Sequence, residues 1–430
     1  MKRHLQLTAI LSLGTLSLAV GKWSRLPSSV SHSVNMSLVS AGTTVASAQG
    51  LAPSSGLILG DPLRPVRVAS GQSEAILKLV RQSTVEKVSF VGEGLEGTIT
   101  ASLSSDGKTW KNKVSKSVNS IDHVIHLSLG VAQGIYVRLQ FDLHRGGIIR
   151  SFQLLGSHSD ASYKVTQTND GHGAKVNFAS GIGGGRLIYI NPEDYSSRNL
   201  AATTSEISFP ESNDKYRTAV YDLGQVRSLT EFGSVHSPRP MRIQVYTFET
   251  LPEKEDWKGR LAFDPSALDE VNPVVSGEDA VGKGVIQIKT KAAVKARYVA
   301  VRWEPDFNPP ALVVSTISIS GSGNIFYSSG GTNVNTTTDS DGNVTSVVNQ
   351  NGNTMNITVN PNTGEVNTNG SLGADAPQSN NTQESSSDNG GAPPVIISNP
   401  SNTGNGIGSP ESNGDDGRKE DGNGESPSEI

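Results

Sequence analysis

The sequence predicts an all-β protein: two tandem jelly-roll β-sandwiches followed by a disordered acidic tail rich in Gly, Asn and Ser. Three observations lead there. Apolar residues recur at every second position over short runs, as a half-buried strand requires. Turn-forming residues separate those runs, and helical periodicity is nearly absent. One series of strands is written twice, in the same order.

The second copy is the clearer of the two. Val299, Val301 and Trp303 share one face of an extended chain, and Ala300 and Arg302 share the other. Asp306, Asn308, Pro309 and Pro310 end that strand, because proline cannot donate to a ladder. The next strand alternates through Ile317 and Ile319. In the first copy, placing Tyr136 on Tyr298 puts Val137 on Val299, Leu139 on Val301 and Phe141 on Trp303. Phe152, Leu154 and Gly156 then fall on Ile317, Ile319 and Gly321. Upstream, Ile99, Ala101 and Leu103 run through an Asp106-Gly107 turn to Trp110. Ile243, Val245 and Thr247 run through a longer tip to Trp257. By this equivalence Trp110, Trp257 and Trp303 are all expected to pack in cores rather than to form sugar-stacking platforms.

In chain order, residues 1–21 read as a secretory signal, with Lys2 and Arg3 before an apolar run and Ala19-Val20-Gly21 as a cleavage site. A second site, Ala46-Ser47-Ala48, would suit cleavage as late as residue 48. Residues 22–60 are Ser-rich and weakly patterned and are expected to have little order. The first sandwich spans 61–157, a linker or hairpin 158–185, and the second sandwich 186–323. Asx-Gly turns between "NVTSVV", "TMNITV" and "GEVNTN" predict a small β-meander over 324–369. Residues 370–430 cannot bury enough surface to offset chain entropy, and read as a solvated acidic tail.

The order "YDLGQV", "VYTFE…DW", "ARYVAVRW", "ISISGSG" resembles the discoidin family, which includes coagulation-factor C-type domains and galactose-binding-like carbohydrate-binding modules. Tyr221, Asp222, Leu223 and Gly224 match its Asp-Leu-Gly strand end, Trp257 its tryptophan, and Arg297-Tyr298-Val299 its Arg-Tyr-Val strand. The resemblance covers about 188–323 well and 66–157 less well. The first copy has "EAILKLVRQ" in place of Asp-Leu-Gly, and Ile135 where the family prefers arginine. The chain has no cysteine. It therefore has neither disulfides nor thiolate sites, and so resembles the bacterial members rather than the disulfide-closed vertebrate ones. Some members hold a structural calcium ion through loop oxygens, a role that would fall to Asp194 or Asp214; no other cofactor is implied.

Charge narrows the partners. The formal net charge is -5, but from Ser328 onward 13 acids face only Arg418 and Lys419. The body is thus mildly basic with no Lys/Arg cluster, which argues against nucleic-acid binding. Gly92 to Gly97 satisfies GxGxxG, yet a strand follows where a dinucleotide site needs a helix, so it reads as a turn. His123 and His126, three apart on a strand, point to opposite faces and are expected as surface or edge residues. His144-Arg145 is a solvated turn. No GxSxG elbow occurs, and catalysis is not expected.

Binding groups belong on loops carried by a rigid sandwich. The candidates are Tyr195, Arg198, Tyr216, Arg217, His236, Arg239 and Phe307. The expected protein is exported, whether to the periplasm, the cell surface or the medium. It is non-catalytic, recognises a glycan or other cell-surface component, and keeps no transmembrane segment after signal cleavage. Two readings stand beside it: a structural or protein-interaction component of the envelope, and an accessory subunit of a separate hydrolase.

Overall fold

The computed structural model describes residues 24–25, 33–121, 123–157, 161–168, 173–192, 206–255, 259, 261–306 and 311–372. Residues 1–21, read above as a secretory signal, and those from 373 onward lie outside the described residues. The fold is all-β, in two large sheets. No described helix is long and apolar enough to cross a membrane.

After the short strand β1 (Ser24–Arg25) come β2 (Ser33–Asn35), β3 (Thr44–Gln49), β4 (Leu51–Ala52) and β5 (Val66–Val68). Then follow β6 (Gly71–Glu93), β7 (Glu96–Ser104), β8 (Lys111–Val118), β9 (Val124–Arg145) and β10 (Gly147–Ser157). Their sheet runs β4-β5-β10-β6-β9-β7-β8, with β2 on β10 and β3 on β6. The long strands shift register midway, between Lys78 and Ser83 on β6, so one strand serves both layers around the core. That core holds Leu77, Val88, Phe90, Val137, Leu139, Phe141 and Leu154. Gly92–Gly97 is the tight β6–β7 turn, with Gly94 at φ 73°.

Next come β11 (Ser162–Gln167), β12 (Ala174–Asn177), β13 (Arg186–Asn191) and β14 (Ile207–Phe209). β15 (Arg217–His236) and β16 (Met241–Phe248) precede a hairpin of β17 (Glu253–Glu255) and β18 (Leu261–Phe263) and the one-turn helix α1 (Ala267–Glu270). β19 (Val275–Asp279), β20 (Val285–Pro305) and β21 (Leu312–Ser329) complete this half. The order β21-β15-β20-β16-β19 repeats that of β10-β6-β9-β7-β8. The register repeats as well. Phe141 lies opposite Ser73 and Ile99, and Trp303 opposite Arg217 and Ile243. Leu154 faces Val88 as Ile319 faces Phe232. Trp303 is fully buried, donates Nε1–H to Ser234 Oγ at 3.1 Å and packs on Phe209.

Among the described residues of 158–185, β11 and β12 pair with β21 and not with each other. β11 and β12 lie end to end along the same edge of β21, at 323–328 and 320–323, because β21 is long enough to template both. The chain then continues through β22 (Thr332–Thr338), β23 (Val344–Gln350), β24 (Asn353–Val359) and β25 (Val366–Gly370). Val334, Val348, Ile357 and Val359 of these strands are buried in the core of the first half. The meander therefore extends the sheet of the second half while closing the core of the first.

The expected low order across 22–60 is corrected from residue 33 onward. Met36, Leu38, Val39 and Ala41 are buried core residues, and β3 pairs with β6 over Thr44–Gln49. The composition misleads because hydroxyl residues here are buried, two of them with their side chains hydrogen-bonded. Ser37 Oγ donates to Asn35 Oδ1 at 2.8 Å, and Thr43 Oγ1 donates to the Met36 carbonyl at 2.5 Å. The two halves meet over a small apolar contact of Leu63, Val91 and Val235, flanked by a Lys175 ion pair with both Asp61 and Glu231.

Candidate ligand-binding face

Alternation on β6, β9 and β7 sends one residue set inward and the other to the outer face. There the ladder sets Lys78, Tyr136 and Ser104 in one row and Ile76, Arg138 and Ser102 in the next. Glu74, Gln140 and Thr100 form a third row. The rows are cross-linked. Arg138 Nε donates to Ser102 Oγ at 3.3 Å, Gln140 Nε2 donates to Glu74 Oε2 at 3.2 Å, and Thr100 and Ser115 share a 2.8 Å hydrogen bond.

Trp110 belongs to this face and not to the core, which corrects the expectation drawn from Trp257. It is half-buried, absent from every hydrophobic cluster, and carries the Arg138 guanidinium 4.2 Å from its ring centroid. The turn before it is rigid. Asp106 Oδ1 accepts from the backbone N–H of Thr109 at 2.7 Å and of Lys108 at 2.8 Å, and from Ser104 Oγ at 2.8 Å. These bonds, with that of Thr109 foremost, hold the Asp106 carboxyl well below the usual carboxylate range. The connection from β7 to β8 is a short turn, and it sets the Trp110 ring against Arg138. Trp257 itself lies outside the described residues.

In the second half the equivalent face is closed. Val220, Tyr246 and Ala300 are buried under Phe263 of β18 and Leu268 of α1. The longer tip read in the sequence is thus a lid of that half's own making. Ala300 stands where the first half has Arg138, so the covered face is apolar where the open one is polar.

The candidates from the sequence scatter. Tyr195, Arg198 and Phe307 lie outside the described residues, as does Asp194. Tyr216 is half-buried beside the lid, with Arg302 stacked 4.4 Å from its centroid and Lys215 at 4.9 Å. Arg217, His236 and Arg239 do converge at one end of the second half, but Arg217 and His236 are fully buried rather than exposed on loops. Arg217 donates to the carbonyls of Asp214 at 2.6 Å and Ser212 at 3.0 Å, bracing the chain into β15. His236 lies 3.6 Å from Asp279 and near His123, and burial pushes its pKa down to about 4. Arg239 is half-buried next to both. Asp214 would offer calcium one carboxylate beside the Arg217 guanidinium, and no group of three carboxylate or imidazole ligands gathers among the described residues. That is a poor fit to a hard dication.

Sequence reasoning missed Arg138, Tyr136, Gln140, Glu74 and Ser102. Their signal was present as outward polar positions on three strands that the repeat itself makes neighbours. No protein-family model matches the chain, and no curated protein sequence matches it. Among solved structures, a chitosan-binding module from a Paenibacillus chitosanase/glucanase is 20% identical, covers 29% of this chain and 100% of its own, and has a TM-score of 0.24. Allantoicase from Saccharomyces cerevisiae is 14% identical over 67% of this chain and 93% of its own, with a TM-score of 0.25. A fucolectin from striped bass (Morone saxatilis) serum is 9% identical over 67% of this chain and 98% of its own, with a TM-score of 0.23.

Proposed function

We propose that the chain is an exported carbohydrate-binding protein made of two tandem discoidin-like units, and that the open outer face of the first unit holds the glycan. One observation carries this reading: Trp110 stacks with Arg138 above rows of hydrogen-bonding side chains, on the half whose face is left uncovered. A pyranose presents an apolar C–H face and a rim of hydroxyls. The Trp110 indole beside Arg138, Gln140 and Glu74 complements both, since guanidinium, amide and carboxylate groups supply donors and acceptors together, and the buried Ser102 hydroxyl holds Arg138 in place. The face is read as binding without bond cleavage. In this reading the first unit recognises the glycan and the second packs and presents it, and the cover that Phe263 and Leu268 form over the equivalent face of the second unit supports that division.

Export is proposed with cleavage upstream of β2. A mature chain starting at Gln49 would lack Met36, Leu38, Val39 and Ala41, all of them buried, which supports the early site after residue 21. N-terminal sequencing of the secreted protein is expected to begin at Lys22, and a start at Gln49 would refute this assignment.

A glycan array probed with the mature full-length chain tests the function. Binding to at least one saccharide class is expected, weakened roughly thirtyfold, about 2 kcal/mol, by Trp110→Ala. No binding to any saccharide, or binding indifferent to Trp110, would overturn it.

A further inference from the structure

Where the two halves meet, the outer face of β9, β6 and β10 lines a cleft of about 150 Å³. Ser89 and His126 are cross-strand neighbours on its floor, and Ser89 Oγ lies 3.0 Å from His126 Nδ1. Glu206, from the second half, closes the cleft with Oε2 3.4 Å from His126 Nε2. An ionised carboxylate only accepts hydrogen bonds, so Glu206 places the imidazole proton on Nε2. Nδ1 is then a bare acceptor, and Ser89 must be the donor of the pair. Lys87, two residues before Ser89 on the same strand face, lines the same cleft, with Val124 and Leu155 as an aliphatic wall.

We propose that this crease is an acyl-transfer site that hydrolyses esters of short carboxylic acids. The inference is independent of the glycan-binding face. Ser89 and His126 are its catalytic residues and Glu206 is a positioning residue. Ser89 Oγ bonds to the ester carbonyl carbon as His126 Nδ1 takes the hydroxyl proton, and the carbonyl π pair moves onto oxygen, facing the Lys87 ammonium. Collapse breaks the bond to the alkoxy oxygen, which leaves as the alcohol with the proton from His126. A water, deprotonated in turn by His126, attacks the acyl-serine. Carboxylic acid leaves, Ser89 regains its proton, and ester plus water has become acid plus alcohol. The apolar wall and the small volume select a short acyl group. A solvent-exposed Ser–His pair with no function would need neither the orienting carboxylate from the other half nor a cleft beside it.

The full chain is treated with a fluorophosphonate probe, mapped by peptide mass spectrometry, and assayed with 4-nitrophenyl acetate. Labelling at Ser89 is expected. Ser89→Ala and His126→Gln are expected to abolish labelling and lower hydrolysis at least 100-fold, with unchanged circular dichroism and thermal midpoint. Glu206→Gln should lower kcat about tenfold with KM unchanged, and Glu206→Asp should restore part of that loss, a split that a packing role would not produce. Wild-type chain unlabelled at Ser89, or hydrolysis no faster than that of Ser89→Ala, would overturn the proposal.

Discussion

A carboxylate held out of water needs partners, and Asp222 has three. Its oxygens accept from Arg297 Nε at 3.0 Å, from the Gly224 N–H at 2.9 Å and from Arg186 at 3.3 Å. Burial alone would raise its pKa, yet these bonds keep it below the usual range. Gly224 sits at φ 78°, where a side chain would be strained. The Asp-Leu-Gly and Arg-Tyr-Val motifs are therefore two ends of one ion pair. The first half, with Lys78 and Ile135 at the equivalent places, has lost both ends together. Arg297→Ala should cost about 2 kcal/mol in urea unfolding, because it strips a buried charge of its main partner. In a double-mutant cycle with Asp222→Asn the costs should fall short of additivity, and strictly additive losses would show that the pair is not coupled. Asp106 is a different case: fully exposed, it shapes the turn that presents Trp110. Asp106→Ala should leave the thermal midpoint unchanged while weakening glycan retention in affinity electrophoresis.

Strands were legible wherever period two met a turn signal. β9, β20, β10 and β21 could be read in register from Val137, Leu139 and Phe141 against Val299, Val301 and Trp303, because a one-residue slip would expose every one of them. β2 and β3 were not legible, since Ser37, Ser40, Thr43 and Thr44 beside them are buried, Ser37 and Thr43 through hydrogen bonds that sequence does not display. The destination of the meander was equally hidden. Its alternation announced strands, but not that Val334, Val348, Ile357 and Val359 would enter a core some 200 residues upstream. Deleting residues 22–48 removes four buried apolar side chains, worth about 6–12 kcal/mol at the usual 1.5–3 kcal/mol each, comparable to a domain's whole stability. Such a chain should fail to give a cooperative melt in calorimetry. A truncation after Gly331 should lower the stability of the first half more than that of the second.

The junction between the halves makes the molecule as a whole sensitive to acid. His236 and its neighbour His123 both have lowered pKa values, burial being the main cause, and that of His236 reaches about 4. Above pH 6.5 both folded and unfolded chains hold these rings neutral, and stability is fully present. Between about 6.5 and 4 the unfolded chain takes up protons that the folded one refuses, so stability falls with pH. His236 alone accounts for about 3 kcal/mol across that window. Urea midpoints measured at pH 7 and pH 4.5 should differ accordingly, and His236→Asn should flatten the dependence. An unchanged slope in that variant would place the titration elsewhere.

Alternation, turn chemistry and an internal repeat are local properties of a chain, and from them alone followed the all-β class, the duplicated strand order and the burial of Trp303. Which face of a sandwich stays open is a different kind of fact. Trp110 and Trp257 occupy matching places in the repeat, and Tyr246 and Ala300 alternate as faithfully as Arg138 does. Only the packed molecule brings Leu268 and Phe263 down over one face and leaves the other bare, because covering depends on where a distant insertion returns. The meeting of Ser89 and His126 with Glu206, 80 residues beyond His126, is likewise a product of how the two halves dock.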